Sequence, residues 1–136
     1  MAYADKSAME QRFKDLDLVE LTNADDPHAE VINDAVLQTA LDDASTEIDL
    51  HVGSIYVLPL TVAQPALIPV CCDIARFKLH AGKATEEVKD RYNNAVKLLE
   101  KIAKDEIMLS AKRLQSASGP VFQAAPLKFN SGELFK

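Results

Sequence analysis

The apolar and polar positions of the chain recur mostly with the period of helices rather than of strands. The least polar stretch is residues 64–82, QPALIPVCCDIARFKLHAG, which is apolar on both faces over most of its length. Pro65 and Pro69 suit the first turn of a helix, and Gly82 suits the cap that ends one. Because a helix that is apolar nearly all round must be covered by others, we expect this segment at the centre of a small bundle.

Two longer amphipathic segments flank the central helix. Residues 34–56 form the first, which should begin at Asn33 or Asp34. Residues 85–103 form the second, with Thr85 as the expected N-cap. Their apolar stripes, which we expect in the core, are Leu37, Ala40, Leu41, Ala44, Ile48, Val52 and Ile55 in the first segment, and Val88, Tyr92, Ala95, Val96, Leu99, Ile102 and Ala103 in the second.

Shorter helical elements are expected before these segments. The sequence SAME has capping-box spacing and predicts a first helix that begins near Ser7. A second short turn is expected at residues 17–21. The apolar side of the first helix would be formed by Met9, Phe13 and Leu16.

The composition changes after residue 114. Residues 115–136 contain small residues, prolines and three of the five phenylalanines, without a helical period. Residues 127–129 alternate apolar and polar, and NSG at 130–132 fits the loop of a β-hairpin. The sequence therefore predicts an all-α fold, a helical bundle of about four main helices. The bundle would occupy residues 1–114, and residues 115–136 would be an extended C-terminal arm with the spacing of a short β-hairpin.

The charge is distributed unevenly along a chain whose 136 residues are enough for one domain. Residues 1–50 hold thirteen acidic and three basic side chains, whereas residues 112–136 hold one acidic and four basic. A nucleic-acid reader should carry a concentrated basic face, which an acidic body with a basic end does not offer. The asymmetry suits head-to-tail contact between copies or an arm on an acidic partner. The alternative is that the charges lie on a solvated surface and that their uneven distribution arose by chance.

The sequence offers few groups for catalysis. Four scattered glycines cannot form a phosphate-binding loop, and His28, His51 and His80 share no ligand spacing. Cys71 and Cys72 lie in the apolar helix, where we expect free buried thiols in a reducing cytoplasm. The start of the chain has no secretion signal, and the central helix is too short and charged to cross a bilayer. We expect no enzyme, no cofactor, no metal and no membrane contact.

Two groups of carboxylates require a separate test. The connector at residues 23–33 fails as a calcium loop, because Pro27 and His28 occupy positions that need a ligand and a glycine. The acidic positions of the helix at 34–56 favour a solvated or intersubunit face over chemistry. On the central helix, Asp73 and Arg76 are three residues apart and are expected to pair with each other.

Four stretches of the chain carry a family resemblance. They are RFKDLDLVELT (12–22), INDAVLQTALDDASTEIDLHVGSIYVLPL (32–60), CCDIARFKLHAGKATEEVKDRYNNAVKLLEKIA (71–103) and FNSGELF (129–135). In this order they resemble the small neck proteins of Mu-like phages and prophages, the head–tail connector or adaptor group. In similar sequences the connector after the first helices is often richer in Asp and Gly than it is here.

The resemblance implies a helical protein without catalytic residues that assembles as a ring of about twelve copies beneath the portal protein. The ring would extend the DNA channel, let genomic DNA pass without sequence-specific contact, and dock the next neck or tail protein. The protein would be made in the bacterial host cytoplasm and would reside in the virion neck.

The expected interface lies mostly in the arm, which would add a strand to a neighbour or the portal, or lie across it. Three alternatives remain open: an arm folded onto its own bundle, a small helical binding or regulatory module acting as monomer or dimer, and a thiol or metal enzyme using Cys71, Cys72 and a histidine. The residues expected at the interface are Arg113, Phe122, Leu127, Lys128, Phe129, Leu134 and Phe135.

Overall fold

The structure, a computed structural model, describes residues 2–114. This part of the chain is a small all-α bundle of three long and two short helices, which confirms the predicted fold class. The predicted arm at residues 115–136, with its predicted β-hairpin, lies outside the described residues. The helices are α1 (Lys6–Arg12), α2 (Asp15–Thr22), α3 (Asp34–Val52), α4 (Leu67–Leu79) and α5 (Glu86–Ala103).

Helix α4 is the centre of the bundle, as its apolar composition predicts. It packs against α3 and α5 over most of its length and also touches α1, whereas α2 packs on α3. Its side chains on both the α3 and the α5 side are removed from water, so both contacts contribute hydrophobic stabilisation to the fold. The fully buried positions of α4 are Leu67, Cys71, Cys72, Ile74 and Ala75.

Side-chain caps fix where three of the helices begin. Asn33 accepts from the Val36 N–H at 3.3 Å at the start of α3, and Thr85 accepts from the Val88 N–H at 3.4 Å at the start of α5. At the start of α1 the cap is Asp5, not Ser7, because the Asp5 carboxylate accepts from the Ala8 N–H at 2.9 Å. The capping-box prediction therefore placed the cap two residues too late.

Helices α4 and α5 end in residues with left-handed backbone conformation. After α4, Gly82 has φ 86°, but Ala81 also adopts φ 51°, so two residues make the turn that Gly82 was expected to make alone. After α5, Asp105 has φ 63°, a conformation that Asp tolerates better than most residues. The Asp105 N–H donates to Ile102 and the Glu106 N–H to Lys101, which is a Schellman motif.

Helix α3 is shorter than its sequence pattern predicts. It ends at Val52, whereas the apolar rhythm continues to Tyr56. Tyr56 instead forms an isolated antiparallel bridge with Arg113, so its backbone leaves the helical path to meet a segment from the end of the bundle. The helix prediction for residues 53–56 was wrong because a distant pairing determines their conformation.

Two side-chain predictions also differ from the structure. Leu16 is not part of the α1 stripe: it lies in α2 and is 68% exposed. Asp73 and Arg76 do not pair with each other, because each approaches a residue of α5 instead. The Asp73 carboxylate lies 3.9 Å from Arg91, and the Arg76 guanidinium lies 3.8 Å from Glu87 and stacks over the Phe13 ring.

The N-terminal residues are held against α3. The Tyr3 N–H donates to Ser45 Oγ at 3.0 Å, and the Tyr3 hydroxyl donates to the Asp49 carboxylate. Burial and the neighbouring Asp49 charge raise the pKa of the Tyr3 hydroxyl, which therefore stays protonated as the donor. The Ser45 hydroxyl in turn lies 3.7 Å from Cys71 Sγ, so this contact reaches the central helix.

Truncation of a central side chain tests the role of α4. We expect Ile74→Ala to lower the free energy of unfolding by about 2–5 kcal/mol, because Ile74 is fully buried between helices. Leu50→Ala is the matched control, since Leu50 is 76% exposed on α3 and its loss should change stability by less than about 0.5 kcal/mol. Urea unfolding followed by circular dichroism measures both, and equal losses would contradict the central position of α4.

Candidate protein-interaction surface

The backbone that follows α5 turns back across the bundle and leads directly to the arm. We call residues 104–114 the exit segment. Its Lys112 C=O accepts from the Val57 N–H at 2.9 Å, and its Leu114 N–H donates to the Ile55 C=O at 2.7 Å. These two bonds set the exit segment antiparallel to the connection between α3 and α4. The chain therefore leaves the described region at a defined place beside the end of α3.

Two side chains of the α3–α4 connection add to this attachment. The Tyr56 hydroxyl oxygen accepts from the Leu109 N–H at 2.7 Å, and the Tyr56 ring is almost fully buried. The Gln64 amide donates to the Ser110 C=O at 2.9 Å. Exit-segment backbone groups are thus paired with groups of the connection instead of water, which restricts the motion of the segment.

Arg113 is the one predicted interface residue that lies within the described part of the chain. Both of its terminal nitrogens lie 2.7 Å from the two carboxylate oxygens of Asp105, a bidentate pair, and its guanidinium lies 5.7 Å from the centre of the Tyr56 ring. The Arg113 guanidinium holds the pKa of the Asp105 carboxyl below its usual range. Arg113 thus fastens the exit segment to the turn that ends α5.

The role of Arg113 toward another molecule stays a prediction. Its side chain is 39% exposed, so part of the guanidinium edge faces solvent. The other six predicted interface residues lie outside the described residues. They are Phe122, Leu127, Lys128, Phe129, Leu134 and Phe135.

Apolar side chains surround the place where the chain exits. Met108 and Leu114 belong to the exit segment and are 70% and 50% exposed, and Val62 of the α3–α4 connection is half exposed. Beside them, residues 60–68 and the N-terminal Tyr3 line a cleft of about 170 Å³. These exposed apolar side chains are available for contact with another protein.

A larger groove opens where α2, the first half of α3 and the end of α4 meet, and we call it the α2–α3 groove. Its volume is about 520 Å³. Two carboxylates, Asp25 and Asp43, and the ammonium of Lys78 are its charged groups, and Lys78 lies 3.2 Å from Glu47. The rest of its lining is apolar or carries hydroxyls: Leu21, Thr22, Ala24, Ala35, Val36, Thr39, Ala40, Leu79 and Ala81.

The connector that was tested for calcium is organised by its own hydrogen bonds. The Asn23 amide donates to the Val19 C=O at 2.9 Å and to the Val31 C=O at 2.8 Å. The Thr22 hydroxyl accepts from the Asn33 N–H at 3.0 Å and donates to the Leu18 C=O. Within residues 2–114, no group of three His, Cys, Asp or Glu side chains is arranged to hold a metal ion.

The two thiols are unsuited to nucleophilic chemistry in this environment. Cys71 and Cys72 are free and fully buried. Burial raises the pKa of both, that of Cys72 to about 12, so the reactive thiolate is scarce at neutral pH. The helices of the described region also include none that is long and apolar enough to span a membrane.

The structure reveals anchoring residues that the sequence analysis did not identify. Tyr56 was placed inside a helix, and Asp105 was assigned no partner, yet both hold the exit segment. Gln64 was considered only as part of the central helix. Tyr56 and Gln64 bond to residues that are far away in the sequence, and Asp105 meets Arg113 through a left-handed turn. Helical periodicity predicts neither kind of contact.

These features define a class: a small helical protein whose C-terminal segment is fastened at one point beside apolar surface. Comparison with known proteins assigns it further. Residues 3–123 match the family model described as Bacteriophage Mu, Gp36. The chain belongs to this family of bacteriophage proteins.

Two relatives agree with the assignment. The Mu-like prophage FluMu protein gp36 of Haemophilus influenzae is 35% identical over 103 residues, which cover 73% of each chain. Gene product J of Escherichia phage Mu is 40% identical over 70 residues, which cover 52% of this chain and 50% of the relative. The predicted resemblance to proteins of Mu-like phages and prophages is therefore confirmed at the level of the family.

Removal of one hydroxyl tests the attachment of the exit segment. We expect Tyr56→Phe to lower the free energy of unfolding by about 1–2 kcal/mol, because the Leu109 N–H loses its acceptor. Tyr92→Phe is the control: its hydroxyl donates to Glu47 at 3.0 Å, and because Glu47 keeps its ion pair with Lys78, removal of the hydroxyl leaves no group without a partner and should have the smaller effect. Urea unfolding compares the two variants, and a larger loss for Tyr92→Phe would contradict this attachment.

A charge substitution tests the pair between Asp105 and Arg113. Asp105→Asn keeps a residue that tolerates the left-handed turn but removes the charge, so the Leu114 amide should exchange with deuterium faster while global stability changes little. Lys112→Ala, which leaves the pair intact, should not change this exchange. Unaltered exchange in Asp105→Asn would contradict a clamping role.

The same pair predicts a pH dependence. Because the folded-state pKa of Asp105 is lowered, the stabilisation should be complete above the usual carboxyl range, near pH 3.9, and should vanish as the pH falls through the lowered value. Carbon-13 shifts of the Asp105 carboxyl should therefore show a midpoint below that of the same group in Arg113→Ala. Equal midpoints in the two proteins would show that Arg113 does not lower this pKa.

Proposed function

We propose that the protein is a head–tail connector, or adaptor, of a Mu-like phage or prophage. About twelve copies would form a ring on the portal protein, extend the DNA channel and dock the next neck or tail protein. Membership of the Gp36 family supports a place in a phage. The neck position and the ring are our inference from the resemblance and from the arrangement of the exit segment.

The observation that carries the proposal is the anchored exit of the arm. The Ile55 and Val57 backbone, Tyr56 and Gln64 hold residues 109–114, so the described chain ends at a defined point. The arm has 22 residues after Leu114 and, when extended, can span at most about 75 Å. That length is well above the roughly 28 Å of the 19-residue helix α3, so an arm fixed at its base can reach another molecule.

The composition of the arm and of the body favours contact between copies. The arm carries apolar side chains and the basic Lys128 and Lys136, while α3 carries five acidic side chains and no lysine or arginine. A surface on one copy that binds a different surface on the next generates a ring when the rotation closes. The acidic body would also repel the phosphates of DNA, which suits passage of DNA without binding.

The arrangement of the chemical groups agrees with a role in assembly rather than catalysis. The buried thiols Cys71 and Cys72 have raised pKa values, and we infer that they contribute to packing. Two of the five titratable side chains of the exit segment, Asp105 and Arg113, form a structural ion pair. We propose that the protein is not an enzyme and acts by presenting surfaces to other proteins.

Removal of the arm tests the proposal. A variant that lacks residues 119–136 should remain helical by circular dichroism, because the core lies within residues 2–114. It should fail to form rings or to attach to the portal protein, as measured by light scattering and by co-sedimentation with portal. Loss of the apolar anchors removes most of the binding energy of a typical interface.

A matched pair of full-length variants separates the anchors from the length of the arm. Phe129→Ser combined with Phe135→Ser removes two anchors and should abolish assembly. Asn130→Ala combined with Ser131→Ala changes neighbouring polar positions and should leave assembly intact. If the truncated protein assembles normally, the assignment of the interface to the arm is wrong. If the full chain stays a monomer or dimer with portal present, the adaptor proposal is wrong.

A further inference from the structure

The α2–α3 groove is an apolar concavity beside acidic side chains in the described part of the chain. Its volume of about 520 Å³ falls in the range of sites that enclose a ligand or several side chains. Its lining includes four alanines, Ala24, Ala35, Ala40 and Ala81, whose small side chains leave the space open. No described side chain fills it, so large apolar side chains from elsewhere can enter.

Apolar surface in the groove lacks a partner within residues 2–114. Val36 on α3 is 40% exposed, and Leu21 and Leu79, which also line the groove, are only half buried. Contact with an apolar segment would remove this surface from water and stabilise a complex.

The charges of the groove indicate what kind of segment it would bind. Asp43 has no ion-pair partner among residues 2–114, and neither has Asp25. Lys78 is already paired with Glu47, so it leaves these carboxylates uncompensated. An apolar segment with basic side chains is complementary to this lining.

We propose that the α2–α3 groove of one copy receives the arm, residues 115–136, of an adjacent copy. The arm has the required chemistry: its aromatic side chains match the apolar lining, and Lys128 and Lys136 match the carboxylates. The proposal rests on the adaptor function, because it names the surface that the arm grips in the ring.

The position of the groove allows this exchange between copies. The arm begins beside Ile55, beyond the C-terminal end of α3, whereas the groove lies along the first half of α3 at Ala35–Asp43. The point from which the arm continues and the groove therefore lie toward opposite ends of one helix, and each copy has one of each. This is the heterologous arrangement that continues from copy to copy around a ring.

Two tryptophan substitutions provide a matched test in the full-length chain. Thr39 and Thr46 are both exposed on α3, and each hydroxyl donates to the C=O four residues earlier at 3.0 Å. Thr39 lines the groove and Thr46 does not. We expect Thr39→Trp to fill the groove and weaken ring formation by about tenfold or more in sedimentation experiments, and Thr46→Trp to leave it unchanged.

A photo-crosslinker at Phe129 identifies what the arm contacts. Benzoylphenylalanine at this position, in rings mixed from isotopically heavy and light protein, should link to peptides of the groove in mixed heavy–light pairs. Links within one copy would overturn the exchange, and links elsewhere, or none in assembled rings, would overturn the groove as the receiving surface.

The results also separate this proposal from the adaptor function. If truncation of the arm abolishes rings while Thr39→Trp assembles normally, the groove assignment is wrong and the adaptor function stands. If truncation leaves rings intact, the role of the arm in assembly fails, and the groove proposal fails with it. Circular dichroism of both tryptophan variants verifies that each is folded.

Discussion

The burial of α4 by its neighbours is the constraint on which the rest of the structure depends. Its apolar side chains face α3 on one side and α5 on the other, so neither outer helix can leave without exposing the core. The two outer helices then turn their charged faces to solvent, and the short helices α1 and α2 close part of the remaining surface. Within residues 2–114, the faces of α3 and α5 that pack on α4 are buried, and their opposite faces are the ones available for contact.

The second determinant is how the chain leaves this core. The Schellman turn after α5 reverses the chain, and the bridge to Tyr56 then carries it past the end of α3. Asp105 contributes twice, since its backbone makes the turn and its carboxylate holds Arg113. The turn after α5 and the Asp105–Arg113 pair together hold the exit segment in place, and the adaptor proposal depends on this attachment.

Helical spacing predicts the core of this protein well, because each buried stripe is local in sequence. The positions from Leu37 to Val52 and from Val88 to Ile102 were assigned to the core from three-four periodicity, and most of them are buried. Periodicity failed at Ile55 and Tyr56, where an apolar rhythm continues but the backbone pairs with the exit segment. Spacing along the helix also failed for Arg76, which lies near Glu87 of α5 and not near Asp73, the less exposed carboxylate on its own helix. Both failures come from contacts made by residues distant in sequence, which spacing within a helix does not encode.

The attachment of Tyr3 to α3 bears on how the bundle would carry mechanical load. Tyr3 is bonded to Ser45 and Asp49, and the exit segment is bonded to Ile55, so both ends of the described chain are fastened near the last turns of the same helix. Tension applied to the two ends would pass through these hydrogen bonds over a short path. The packing of α4 against α5 lies outside that path, so a pull on the arm would strain the attachment points and spare the hydrophobic centre.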